Sequence, residues 1–62
     1  MSDLISDDEK LHCVEREIAM RRSVYPKWIA SGKMKQTKAE WEIAVMEAVA
    51  ADYREAIAAV RE

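Results

Sequence analysis

Two stretches of the chain carry apolar residues at the spacing of an α-helix. Along residues 37–61 they recur three or four positions apart, which places them on one side of a helix. These residues are Ile43, Met46, Ala50, Tyr53, Ile57 and Val60. Along residues 7–31 a second stripe consists of Leu11, Val14, Ile18, Tyr25 and Trp28, with Arg21 at the position that would complete it. The pattern predicts two amphipathic helices and no strand.

Capping and turn residues predict where these helices begin and end. Ser6 and Glu9 fit a capping box, in which the Ser6 hydroxyl accepts from the Glu9 amide and the Glu9 carboxylate accepts from the Ser6 amide. Thr37 and Glu40 repeat this pattern. Gly32, the only glycine, stands where a left-handed residue would close the first helix. We therefore predict one domain, residues 1–62, with helix 1 at about 7–31, a turn at 32–36 and helix 2 at about 37–61.

Pro26 lies inside the first predicted helix and allows two outcomes. Either the helix continues to about Ser31 with a kink, or it stops near Val24 and Pro26 opens a separate short turn. We favour the kinked, continuous helix because Tyr25 and Trp28 extend its apolar side and no good capping residue directly precedes Pro26.

The short connection predicts that the two helices pack as antiparallel neighbours, an all-α hairpin in which Trp28 lies opposite Trp41 and Leu11 lies near Ala58. Helix 2 has more apolar residues beside its stripe than one neighbouring helix can cover. These are Val45, Ala48, Val49, Ala56 and Ala59. An uncovered arc of this width indicates an association surface. We expect dimerisation into a four-helix bundle, with capture of a different protein as the alternative.

Size and composition support this interpretation. A chain of 62 residues is close to the lower limit at which a core offsets the ordering entropy, so we expect help from a partner. With 50% hydrophobic and 35% charged residues, the composition favours helices over disorder. No apolar run reaches a membrane-spanning length, the N-terminal segment is acidic, and Cys13 is the only cysteine. These features predict a cytoplasmic protein with no membrane partner.

Charge is distributed unevenly along the chain. Residues 1–20 and 40–62 each carry six acids and two bases, whereas residues 21–39 carry six bases and no acid. In a hairpin the acidic thirds meet at the open end and the basic third forms the tip, so an antiparallel dimer would place each tip beside its partner's acidic end. The tip contains Arg21, Arg22, Lys27, Lys33 and Lys35 beside Tyr25, Trp28 and Trp41. A nucleic-acid accessory role is therefore an alternative, and binding to phosphates would weaken as the salt concentration rises.

Residues with catalytic or metal-binding chemistry are few. Glu9 and His12 have the E-x-x-H spacing of carboxylate di-metal bundles, but Glu9 is assigned to the helix cap. Cys13 and His12 are adjacent, and neighbours along a helix point about 100° apart, so they do not make a nucleophile and base pair. There is no Gly-rich phosphate loop. The sequence therefore predicts a protein that is not an enzyme and that uses no cofactor or metal.

Several short segments within residues 13–54 carry a resemblance to known proteins. EREIAMRR, VYPKW, GKM and EIAVMEA resemble a class of small helical-hairpin proteins encoded by bacteriophages and prophages. The resemblance covers about two thirds of the chain and includes no catalytic residue. It implies a protein that binds and blocks or redirects a host or phage protein. Lys35 departs from it, because a capping hydroxyl would be more natural there, which leaves the start of helix 2 open by about two residues.

These observations predict a non-enzymatic protein-interaction module. The candidate partner contacts are Tyr25, Trp28, Trp41, Val45 and Val49. Aromatic side chains are the usual energetic centres of interfaces, so Trp28 is the first candidate if it is exposed. In that case Trp28→Ala should abolish partner capture and leave helicity intact.

Overall fold

The computed structural model describes residues 4–61 and contains two helices, α1 (Asp7–Ala30) and α2 (Gln36–Arg61). No strand occurs within those residues, so the predicted all-α class is confirmed. The remaining residues of the predicted 1–62 domain, 1–3 and 62, lie outside the described part. The molecule measures 45 × 21 × 16 Å along its principal axes. Neither described helix is both long and apolar enough to cross a membrane.

The beginning of α1 has the Ser6 half of the predicted capping box. Ser6 adopts an extended conformation, with φ −77° and ψ 162°, and its hydroxyl accepts a hydrogen bond from the Glu9 amide at 3.1 Å. The first turn carries Asp7, Asp8 and Glu9, whose charges favour the positive end of the helix dipole. Local sequence therefore fixes this helix start.

The end of α1 is closed by Gly32, as the sequence predicts. Gly32 has a φ of +81°, and its amide donates to the Ile29 carbonyl at 3.1 Å. The Lys33 amide donates to the Trp28 carbonyl at 2.9 Å. These two bonds form a Schellman motif, which satisfies carbonyls that the helix leaves without partners. The chain then reverses within the few residues before α2.

Pro26 lies inside α1 without interrupting it, since the helix is continuous from Asp7 to Ala30. Of the two outcomes that the sequence allows, the structure therefore contains the continuous helix. The kink at Pro26 stays a prediction.

The start of α2 differs from the capping box predicted at Thr37. The helix begins at Gln36, and the Ala39 amide donates to the Lys35 carbonyl at 3.0 Å, so Lys35 occupies the capping position. Thr37 lies within the first turn. No acidic residue stands in that turn, so the helix start lacks the favourable charges that α1 has.

The two helices pack antiparallel along a narrow seam. Its buried apolar residues within the described chain are Ile18 and Tyr25 from α1 and Ala39 and Ala50 from α2. Ala50 is completely buried, which lets the helix backbones approach closely beside Ile18. At the open end, Leu11 and Ala58 line one depression, as expected. Among the described residues no large side chain is fully buried, so the interior of the hairpin is thin.

Candidate association surface

One side of the hairpin, which we call the ion-paired face, is closed by two salt bridges between the helices. Arg22 donates to Glu47 at 2.6 Å, and Arg54 donates to Glu15 at 2.8 Å. Arg22 follows Glu15 by seven residues and Arg54 follows Glu47 by seven, so each helix presents both of its charges on the same side. The groove between these two salt bridges has a polar rim, and the small residues Ala19 and Ala51 line it alongside the charges.

The opposite side carries a polar cluster around the hydroxyl of Tyr25. The hydroxyl donates to Glu42 of α2 at 3.0 Å, and Arg21 donates to Glu17 at 2.9 Å. Lys38 lies 3.4 Å and Arg21 lies 3.9 Å from the Glu42 carboxylate. The charges of two acids and two bases thus cancel, and the hydrogen bond from the Tyr25 hydroxyl links α1 to α2 across the seam.

The hydrogen bonds of this cluster shift its ionisation. The hydrogen bond from Tyr25 lowers the pKa of Glu42, and the nearby Lys38 and Arg21 lower it further, against an opposing effect of desolvation. Burial raises the pKa of Tyr25, and the hydrogen bond to Glu42 raises it too. The hydrogen bond to Glu17 raises the pKa of Arg21. The state with the Glu42 carboxylate charged and the Tyr25 phenol neutral is therefore the one that the fold favours.

Large apolar side chains lie on the same side as this cluster. Met20, Val24 and Trp28 follow Glu17 by three, seven and eleven residues, and together with Glu17, Arg21 and Tyr25 they line one depression on α1. Val45 and Val49 follow Glu42 by three and seven residues. We call Met20, Val24, Trp28, Val45 and Val49 the apolar face. Met20 is 54% exposed, Trp28 43% and Val45 41%, so the hairpin leaves much of this face uncovered.

The two tryptophans point in different directions, contrary to the prediction that Trp28 lies opposite Trp41. They are level along the hairpin, because Trp28 follows Arg22 by six residues and Trp41 precedes Glu47 by six. Trp41, however, lies nine residues, or about two and a half helical turns, before the fully buried Ala50, so it points away from α1. Its side chain is 70% exposed. Trp28 instead packs against the ring of Tyr25, with 5.7 Å between centroids.

Of the sequence-predicted contacts, the structure thus places Trp28, Val45 and Val49 on the apolar face and Trp41 beyond its edge on α2. Tyr25 is only 6% exposed and lies in the seam. Met20 and Val24 also belong to this face, although they were not among the predicted contacts. Their spacing from Trp28 was a usable signal, because positions four and eight residues earlier on a helix lie on the same side.

The basic tip is divided by the ion pairs. Arg21 and Arg22 are engaged with Glu17 and Glu47, and Lys38 with Glu42. Lys27, Lys33 and Lys35 are exposed and form no ion pair with any residue between 4 and 61. The arginines that a nucleic acid would contact are therefore already paired with carboxylates of the same chain.

The residues with possible chemistry lie on the surface. His12 and Cys13 are exposed, and the Glu9 amide forms the cap with Ser6. Within residues 4–61, no group of three or more His, Cys, Asp and Glu side chains is placed to hold a metal ion. Comparisons with protein-family models, with curated proteins and with solved structures find no match to this chain.

Proposed function

We propose that the chain is a non-enzymatic protein-interaction module, encoded by a phage or prophage, that works as a homodimer and binds a host or phage protein. The observation that supports this most is the set of large apolar side chains that stay exposed after the hairpin closes. Trp41, Met20, Trp28 and Val45 are each more than two fifths exposed. Large exposed apolar side chains of this kind mark interaction sites in proteins when they lie together.

The thin interior supports a dimer. Four apolar residues in the described part of the chain are buried in the seam, and a single seam supplies little stabilisation to a chain of this length. A second hairpin placed on the apolar face would remove Met20, Trp28 and Val45 from water. Burial of apolar area contributes roughly 25 cal/mol per Å². The resulting assembly is a four-helix bundle.

Trp41 is the side chain we assign to the partner protein. It lies beyond the edge of the apolar face, so a dimer through that face leaves its indole accessible. Exposed indole rings bury much area at little entropic cost, which is why tryptophan is common at the centres of interfaces. Trp28 is a less clear test, because it packs on Tyr25 and its loss would also disturb the seam.

A tagged pull-down from a lysate of the host bacterium, read by mass spectrometry, tests this function. We expect the wild-type chain to retain a specific protein and Trp41→Ala to lose it. Glu40→Ala is the matched control, because it truncates the neighbouring exposed side chain. Equal helicity of the three chains by circular dichroism excludes unfolding as the cause. If Trp41→Ala retained the same protein as strongly as Glu40→Ala, the assignment of Trp41 would be wrong.

A second candidate function is an accessory role on nucleic acid. It is favoured by Lys27, Lys33 and Lys35, which are exposed near Trp28 and could contact phosphates. A gel shift with single-stranded and double-stranded DNA and RNA at low salt tests it, with a Lys27→Gln, Lys33→Gln, Lys35→Gln variant as the control. A retarded band that this variant and added salt both weaken would support the role. Absence of any retarded band for the wild-type chain would exclude the nucleic-acid role.

A further inference from the structure

We infer that two copies of the chain associate through the apolar face with their hairpins running in opposite directions, so that the basic turn of each lies beside the acidic open end of the other. This inference rests on the homodimer proposed above, and it specifies which face the copies share and how they are oriented.

The choice of face follows from what each side of the hairpin presents. On the ion-paired face, Glu15, Arg22, Glu47 and Arg54 are already paired with each other, and each is about half exposed to water. Covering these charges would cost their hydration and would bury little apolar area. On the apolar face, Met20, Trp28 and Val45 are exposed, and the paired charges of Glu17 and Arg21 lie beside Met20 and Trp28, so covering this face would remove large apolar side chains from water.

The polar cluster within the apolar face does not prevent association. Glu17 is paired with Arg21, and Glu42 accepts from Tyr25 and lies near Lys38. The four charges cancel, and no side-chain polar atom that is buried in the described residues lacks a partner. A polar network whose members satisfy each other can be covered without leaving an unpaired charge. Such a network also favours one arrangement of the two copies over others that would break it.

The direction follows from the charges. Residues 21–39 carry six bases and no acid, whereas the first turn of α1, at the open end, carries Asp7, Asp8 and Glu9. Lys27, Lys33 and Lys35 at the turn form no ion pair with described residues, so they are accessible to a second copy. Hairpins with both turns at one end would bring these cations together. Opposed hairpins place unlike charges within the roughly 8 Å over which they act at physiological salt.

A two-fold axis that crosses the helices produces this arrangement. It stacks α1 on α1 of the second copy and α2 on α2. Met20 is the fourteenth residue of the 24-residue α1, and Val49 is the fourteenth of the 26-residue α2. Both therefore lie near mid-helix, close to such an axis, where each would contact its own counterpart. The middle of the apolar face would thus pack against its own counterpart about this axis.

A distance measurement between labelled turns tests the inference. Cys13→Ser combined with Ser31→Cys moves the single cysteine to the exposed end of α1 without changing composition or charge. A spin label is attached at residue 31, and distances between copies are measured by double electron–electron resonance. Circular dichroism and the sedimenting mass show that the labelled chain keeps its helices and its association state.

We expect labels about 33 Å apart, because residue 31 lies eleven residues, or about 16 Å, along the chain from Met20 near the axis, and the two-fold axis doubles this separation. Labels about 10 to 25 Å apart in a dimer would overturn the inferred direction and leave the homodimer itself standing. A chain that sediments as a monomer with no distance between labels would overturn this inference together with the homodimer. Capture of a different protein through Trp41 is measured separately by the pull-down.

Discussion

The two faces of this hairpin are built from the same helices and the same seam, yet they satisfy their side chains differently. On the ion-paired face, Arg22 and Glu47 and likewise Arg54 and Glu15 pair across the seam within one chain. On the apolar face, Met20, Trp28 and Val45 remain exposed. Exposed salt bridges contribute little free energy, whereas each apolar side chain removed from water contributes about 1.5 to 3 kcal/mol. The ion-paired face therefore satisfies its charges within one chain, whereas the apolar face leaves large side chains exposed that the proposed association would cover.

Ile18 lies in the seam beneath both faces, so its truncation should have the largest effect. We expect Ile18→Ala to lower the free energy of unfolding by about 2 to 4 kcal/mol, because the side chain is 7% exposed and its loss leaves a cavity beside Ala50. A domain of this length has only roughly 3 to 9 kcal/mol in total. Urea unfolding at a fixed chain concentration measures the change. A loss under about 1 kcal/mol would mean that the seam contributes little to the fold.

A glutamate placed on one face or on the other should show which face mediates dimerisation. We expect Val45→Glu, on the apolar face, to weaken dimerisation at least about 100-fold, because association would bury an unpaired carboxylate. Ala51→Glu places the same charge beside the ion-paired groove of the same helix and should leave dimerisation unchanged. Size-exclusion chromatography with light scattering over a dilution series measures both. Equal behaviour of the two variants would assign the association surface to neither face.

The polar cluster on the apolar side makes the stability of the fold depend on pH in the acidic range. Because the pKa of Glu42 is lowered in the folded state, its contribution to stability is present above its ordinary pKa and is lost as pH falls through the lowered one. The hydrogen bond from Tyr25 is the largest cause, so Tyr25→Phe should raise the pKa of Glu42 toward its ordinary value. Carbon-detected NMR titration of the Glu42 carboxyl measures this. An unchanged titration in Tyr25→Phe would show that the hydrogen bond is absent in solution.

The smallest effect is expected on the ion-paired face. Glu15→Gln removes the partner of Arg54 from a salt bridge whose two side chains are 47% and 55% exposed. We expect a loss of about 0.2 to 1 kcal/mol, which added salt should reduce further. Glu55→Gln on the exposed side of α2 is the matched control, because it changes the net charge equally. A loss above about 2 kcal/mol relative to that control would mean that this face carries more of the fold than its exposure indicates.

Local sequence was sufficient for much of the fold. The cap at Ser6 and the left-handed residue at Gly32 follow from chemistry within a few residues, and the structure contains both. The start of α2 was less predictable, because the hydroxyl pattern at Thr37 begins two residues after the capping position that the structure shows. Lys35 takes the capping position through its backbone carbonyl, which any residue can supply, and this displaced the hydroxyl pattern at Thr37.

The faces were harder to predict, because they depend on how each helix is rotated about its axis. The apolar stripe of helix 2 extends back from Ile43 to Ala39, which is buried, and this spacing already places Trp41 off the stripe. The prediction that Trp41 lies opposite Trp28 used only their equal position along the hairpin and not the rotation of each helix. The bond between Tyr25 and Glu42 and the pairing of Arg22 with Glu47 join residues far apart in sequence, so no local pattern identifies them.

Sedimentation equilibrium of the wild-type chain across micromolar concentrations tests most directly whether the apolar face is completed by association. We expect a mass near twice the 7.1 kDa of one chain, with a shift toward the single-chain mass on dilution. A mass of 7.1 kDa at every concentration would contradict a dimer through the apolar face.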